Sequence, residues 1–138
     1  MSVERGIGEE GNLQAALDTL LAAARAGDAA ACEEGLQMCG DLWMYWHIRG
    51  KNLTAREYAT SFLDADTVGG TLSVGRAGAL VTAGLASYML GQFERANDEW
   101  AEAYRMKAMF LTTLTGHSAV LDPLRRDARA MPAPSGRQ

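Results

Sequence analysis

The chain has 138 residues, a formal net charge of −4 and an apolar content of 48%, a length in the range of one domain with a real core. The acidic balance disfavours direct nucleic-acid binding, which needs a basic stripe. No apolar run approaches the ~18 residues of a membrane span, and Met1–Gly6 lacks the basic start and apolar segment of a signal peptide.

Alanine, leucine and methionine supply most of the apolar residues and β-branched residues are scattered, so the composition favours helix throughout. Residues 1–11, glycine-rich and charged, are expected to form a flexible lead-in. From Asn12, a candidate N-cap, the residues Leu13, Ala16, Leu17, Leu20, Leu21 and Ala24 fall on one helical stripe. Gly27-Asp28 reads as a stop followed by a new cap. A long second helix is expected to run to about Arg49, with Leu36, Cys39, Leu42, Trp43, Trp46 and Ile48 on its buried side. Gly35 and Gly40 weaken it by roughly 1 kcal/mol each relative to alanine, which allows a kink. Cys32 and Cys39 lie seven residues apart on that helix, a rise of about 10 Å that forbids a disulfide between them. They read as buried free thiols in a reducing cytoplasm.

Gly50 ends the second helix, and Thr54-Ala55-Arg56-Glu57 has the pattern of a capping box opening a third helix to about Ala65, with Tyr58, Phe62 and Leu63 buried. Residues 64–76 contain Gly69, Gly70 and Gly75 and read as the longest loop. A fourth helix is expected over about 77–90 and a fifth over about 93–111. Asp122-Pro123 reads as N-cap and N1 of a short last helix ending before Pro132. The expected organisation is thus a single helical domain over residues 12–130 with a disordered tail over 131–138. The tail region carries Arg125, Arg126, Arg129 and Arg137, which are read as a solvated face.

The segment from Gly84 to Ala103 has small residues where two helices must touch, a Gly-x-aromatic turn at Gly91-Gln92-Phe93, and Trp100 four residues after Ala96. It resembles the helix–turn–helix unit of a tetratricopeptide repeat, about 34 residues long. Leu80, Gly84, Gly91, Ala96, Trp100 and Ala103 fall on the repeat's key positions, with Tyr88 one residue out of register. Gly50 taken as an equivalent turn puts Leu42, Trp43, Trp46 and Ala55 in register, 41 residues upstream of Gly91. The implied fold is all-α: a short right-handed helical-repeat array of about six helices, of the kind that stacks to bind other chains.

Glu9-Glu10-Gly11-Asn12-Leu13-Gln14-Ala15-Ala16-Leu17, then Gly27-Asp28, then Leu42-Trp43-Met44-Tyr45-Trp46-His47-Ile48-Arg49-Gly50, Arg56, Tyr58, Ala83-Gly84 and Gly91-Gln92-Phe93 form an ordered set of landmarks. Their order and spacing over about residues 9–109 resemble the helical sensor region of bacterial signal-transduction ATPases, the MalT-like and LuxR-type transcriptional regulators. Thr54-Ala55 stands where that family has Glu-Gly, and Gln92 where it usually has Asp. The resemblance implies an inducer- or partner-sensing role. It implies no ATPase or DNA-binding activity, because a Walker-type loop and a DNA-reading helix-turn-helix are absent from the sequence.

Chemical motifs are sparse. Gly6-Ile7-Gly8-Glu9-Glu10-Gly11 fits G-x-G-x-x-G but has only five residues before it and two carboxylates that would repel phosphate. Gly69–Arg76 lacks the Gly-Lys-Ser/Thr ending of a phosphate loop. His47 and His117 have no ligand-type neighbour at metal spacing on their helix faces. No nucleophile elbow is present, so the chain is expected not to be an enzyme and to need no cofactor or metal. The inner face of the array is expected to expose Gln37, Gly40, Met44, His47, Val81, Leu85 and Tyr88. Of these, Gln37, Met44, His47, Val81, Leu85 and Tyr88 are the candidate binding residues. That groove would be apolar with His47 and Tyr88 as polar handles, suited to an apolar or amphipathic helix or a small hydrophobic effector. Leu111, Leu114, Val120, Leu121 and Leu124 need cover from the last helix or from a second copy, so a homodimer through this end is an expectation. The alternatives are a structural or oligomerisation subunit without a ligand groove, and a small helical enzyme built on His47 or His117.

Overall fold

A computed structural model describes the backbone of residues 3–66 and 73–115 and the side chains of residues 10–66 and 73–109. Every regular element among the described residues is a helix. In chain order they are α1 (Val3–Arg25), α2 (Ala29–Asp41), α3 (Trp43–Ile48), α4 (Asn52–Ala65), α5 (Val74–Met89) and α6 (Phe93–Thr115). None of them is long and apolar enough to cross a membrane. The expected last helix at Asp122-Pro123 and the tail lie outside the described residues.

The turns follow the glycines. Gly50 and Gly91 adopt φ values of +68° and +79°, a left-handed conformation that only glycine enters without cost. After Gly91 the chain reverses, and Gln92 N–H returns to Ser87 O at 2.8 Å, satisfying a carbonyl that the helix end would leave open. Asp28 caps α2 as expected, its carboxylate accepting from Ala31 N–H at 3.0 Å.

Helix α5 is the centre of the bundle, packing on α2, α4 and α6, while α1 covers α2 and α4. Its buried face is made mostly of small residues, Gly75, Ala79, Ala83, Gly84, Ala86 and Ser87, beside Leu80 and Thr82, so neighbouring helices approach closely. A Cβ on Gly40 would stand 3.1 Å from the Gly78 Cα, and Thr82 donates its hydroxyl to Cys39 O at 2.8 Å across the same contact. The larger core residues come from the flanking helices: Leu17 and Leu21 of α1, Leu36 and Cys39 of α2, Trp46 of α3, and Phe62 of α4. Trp46 stacks on Tyr58 with 6.2 Å between ring centroids.

Several expectations are corrected. The lead-in is helical from Val3, and Asn12 lies inside α1 instead of capping it. Lys51, at the start of α4, pairs with Glu10, which holds this part of α1 against the domain. The long second helix is two helices with a break at Leu42 (φ −90°, ψ 3°). Trp46 stays buried, while Trp43 is 39% and Ile48 71% exposed. Gly35 and Gly40 are not kinks but contact points, Gly35 beneath the Phe62 ring and Gly40 against Gly78. The Thr54–Glu57 capping box does not form, because α4 starts at Asn52 and Thr54 is already inside its first turn. Helix α5 starts three residues before the expected 77, capped by the Ser73 hydroxyl accepting from Arg76 N–H at 3.0 Å.

Candidate functional site

The hairpin of α5 and α6 carries a concavity. Gly84 has no side chain because Trp100 of α6 lies directly over it, leaving no room for a Cβ. Its indole N–H donates to Val81 O at 3.3 Å. Tyr88 packs beside it, 5.9 Å from the Trp100 ring and 5.2 Å from Phe93. These contacts hold the turn end of the hairpin together. Towards the other end the helices leave a cleft of about 540 Å³, lined by Val74, Ala77, Gly78 and Val81 of α5 and by Trp100, Ala103, Tyr104, Met106 and Lys107 of α6, with Ser73 at its edge. Its size falls in the range of ligand pockets. The polar groups on its wall are Ser73, Tyr104 and Lys107; no carboxylate or imidazole is among the described residues that line it. This composition can hold an apolar group and orient it by a cation.

The open end of α5 is locked by charge. The Glu33 carboxylate of α2 accepts from Ser73 Oγ at 2.5 Å, from Gly75 N–H at 3.0 Å and from Gln37 Nε2 at 2.9 Å, so an acid sits at the helix N-terminus where the exposed amides favour it. Burial pushes this carboxyl up, but the three hydrogen bonds outweigh it and hold it below its ordinary value. Arg76 then joins three elements, reaching Asp66 at 3.2 Å, Glu102 at 3.1 Å and Leu63 O at 3.4 Å. At the turn end Ser87, fully buried, donates to Glu99 at 2.8 Å. Burial raises the Glu99 carboxyl above its ordinary value despite the favourable contacts of Ser87 and Arg95.

The sequence-derived site residues distribute as follows. Val81 is 48% exposed and lines the cleft, and Leu85 and Tyr88 continue its stripe along α5 at helical spacing. Met44 is 46% exposed on α3. His47 is half-buried, with Nδ1 shielded from solvent and without a partner among the described residues. Gln37 is directed along its own helix to Glu33. Met44, His47, Leu85, Tyr88 and Gln37 are not among the cleft's lining residues, so one concave site does not gather all six. Val74, Ala77 and Gly78 are not among the residues expected from sequence; the glycines of 64–76 mask the start of α5 at Val74, and Ala77 and Gly78 are small residues whose role in a cleft depends on α6. The signal was present: 74, 77, 78, 81, 85 and 88 form one i, i+3, i+4, i+7 stripe. Trp100 both packs over Gly84 and forms part of the cleft wall.

A second, more polar hollow of about 350 Å³ lies between α1 and α4, lined by Gln14, Asp18, Leu21, Thr54, Glu57, Tyr58 and Ser61. There Tyr58 donates to Asp18 at 2.7 Å, and burial together with that acidic partner pushes the phenol up to about 12. No cluster of three or more His, Cys, Asp or Glu able to hold a metal occurs among the described residues. His117 lies outside them. Comparison with known proteins gives no match to a family model, to a curated protein or to a solved structure.

Proposed function

We propose that this chain is a non-enzymatic helical-repeat module that senses or scaffolds by taking an apolar or amphipathic helix into the cleft between α5 and α6. The observation that carries this reading is the cleft itself, an apolar trough with one cation, Lys107, and with Trp100 fixed over Gly84 as its wall. A helix laid along such a trough offers its apolar stripe at i, i+3, i+4 and i+7, the same spacing that α5 presents. The repeat reading is supported by the order of contacts, in which α2 packs on α4, both pack on α5, and α5 packs on α6. Successive hairpins with glycine turns 41 residues apart would stack in this way into a right-handed tetratricopeptide-like array. A place in a bacterial transcription-regulatory system, acting in the cytoplasm beside an ATPase, rests on the ordered motifs of residues 9–17, 42–50 and 83–93.

The test is a titration followed by Trp100 fluorescence, with a synthetic amphipathic helix carrying a leucine stripe and a glutamate–lysine outer face. A small hydrophobic effector is represented in parallel by an anilinonaphthalene dye. Saturable peptide binding that Val81→Glu weakens at least ~10-fold, a loss of ~1.4 kcal/mol, with an unchanged melting curve, is the expected result. Preference for the dye over the peptide would turn the reading towards a small-molecule sensor. Binding of neither would leave a structural subunit as the better description.

A further inference from the structure

Helix α5 itself occupies a cleft, the one between α2 and α4, and its contacts there fix its direction. Gly75 N–H donates to Glu33 at 3.0 Å, Gly78 lies against Gly40, and Thr82 donates to Cys39 O at 2.8 Å, so α5 runs parallel to α2. Arg76 reaches Leu63 O near the end of α4, while Gln92, just beyond the other end of α5, bonds Arg56 near the start of α4. Helix α5 is therefore antiparallel to α4.

Gly50 and Gly91, the left-handed turns before α4 and α6, set an offset of 41 residues. At that offset Glu33 and Gly40 of α2 fall on Val74 and Val81 of α5, and Phe62, Leu63 and Asp66 fall on Ala103, Tyr104 and Lys107 of α6. Val74, Val81, Ala103, Tyr104 and Lys107 all line the α5–α6 cleft. Their counterparts Glu33, Gly40, Leu63 and Asp66 are residues that hold α5. The cleft thus stands to α5 and α6 as the seat of α5 stands to α2 and α4, and only its chemistry differs. Arg76, the third residue of α5, pairs with Asp66 at 3.2 Å, and the counterpart of Asp66 is the cation Lys107. Glu33, which accepts from the first turn of α5, is answered by the apolar Val74. Ala103 at the counterpart of Phe62 leaves room for a larger apolar side chain, and no carboxylate is among the described residues that line the cleft.

We infer that the α5–α6 cleft takes a helix of a partner chain that lies parallel to α5 and antiparallel to α6, with an acidic residue at its third position against Lys107. This rests on the partner reading of the cleft proposed above and adds the partner's direction and charge. A carboxylate in the first turn also suits the occupant's own helix dipole. Helix α5 of a second copy is the wrong occupant, because its Arg76 would meet Lys107 as a like charge and its small-residue face is already buried within its own chain.

The experiment titrates the full chain with labelled synthetic amphipathic helices that share one leucine stripe, followed by fluorescence anisotropy at low salt. One peptide has glutamate at its third position, one has lysine there, and one has the glutamate moved to its last turn. The first is expected to bind ~5-fold tighter than either of the others, the upper range for an exposed ion pair, with the difference shrinking at high salt. A first-turn acid also raises the helicity of the peptide itself, so Lys107→Glu is the deciding variant and should reverse the order of the first two peptides. Equal affinities, an order unchanged by Lys107→Glu, or preference for the last-turn acid would overturn the inference and leave helix binding in the cleft standing. Binding of no peptide, or binding that Val81→Glu leaves intact, would remove both. Sedimentation of the protein alone as a dimer that Val81→Glu dissociates would assign the cleft to a second copy and equally overturn the inference.

Discussion

Gly35→Ala is the perturbation in which local propensity and tertiary packing demand opposite signs. In an exposed helix this change stabilises by ~1 kcal/mol, because alanine loses less backbone entropy than glycine. In this bundle a Cβ at residue 35 falls inside the contact envelope of the Phe62 ring, whose Cε1, Cζ and Cδ1 atoms all crowd it. Phe62 has 0% exposure and no open side to move into. Small shifts that relieve overpacking cost ~1–3 kcal/mol, and driving the ring out of the core approaches the ~3–5 kcal/mol of a Phe→Ala change. Subtracting the propensity gain leaves a net destabilisation of ~2 kcal/mol, or a melting temperature lower by about 8 °C in a chain of this size. Urea unfolding followed by circular dichroism measures it directly. Gly11→Ala is the internal control, since nothing lies within 4 Å of a Cβ there, and it should stabilise by up to ~1 kcal/mol. Phe62→Leu should relieve part of the clash, so the double variant with Gly35→Ala should be more stable than additivity predicts by ~1 kcal/mol. A Gly35→Ala protein as stable as the parent, or strictly additive with Phe62→Leu, would refute the packing argument.

Glu33 has a lowered folded pKa, so its contribution is present above the ordinary carboxyl value of ~4.3 and lost as pH falls through the folded value. Glu33→Gln should therefore flatten the acid limb of the stability curve, and an unchanged limb in a pH series of melting curves would contradict this. Glu99 has the opposite sign: its folded pKa is raised, so the stability it gives in its protonated form disappears as pH rises through that value. Glu99→Gln, which keeps an acceptor for Ser87, should melt higher than the parent at pH 7 and show no gain at pH 4. Burial pushes the Cys39 thiol up to about 12 and also raises Cys32, so Ellman's reagent at pH 8 should find neither thiol in the native protein and both in urea. Rapid native reaction of either would show that α2 is not packed on α4 and α5 as described.

Much of the helical pattern is legible along the chain because its causes are local. The ends at Gly27, Gly50 and Gly91 follow from glycine's access to the left-handed region. The stripe of Leu17, Leu21 and Ala24 follows from a 3.6-residue period, and those residues are buried. Asp28 caps α2 through a bond three residues away. The failures share a different cause. The start of α5 is set by Glu33, more than forty residues from the Gly75 amide it accepts. A reading confined to the glycines of 64–76 sees only a loop. The Thr54–Glu57 box is a sound local pattern that loses to a helix beginning at Asn52, where Lys51 pairs with Glu10. Trp43 falls at the edge of the apolar stripe of a single long helix, but the helix breaks at Leu42 and leaves it exposed, and Ile48, nine residues from Cys39, stands on the opposite face of that stripe and is exposed too.

The candidate site divides in the same way. Val81, Leu85 and Tyr88 were recoverable because their spacing on one helix face is a property of that helix alone. The trough around Val81 was not, because it is bounded by two helices and exists only where Trp100 closes over Gly84 and the hairpin opens beyond it. Composition, glycine turns and apolar periodicity by themselves determined that this chain is all-helical and where most helices stop, since those depend on backbone dihedrals and nearest neighbours. Only the tertiary structure decided which glycines are contact points, which aromatics face solvent and where the cleft lies. Those depend on close approach between segments distant in the chain, and no single segment contains the information about its partner's surface.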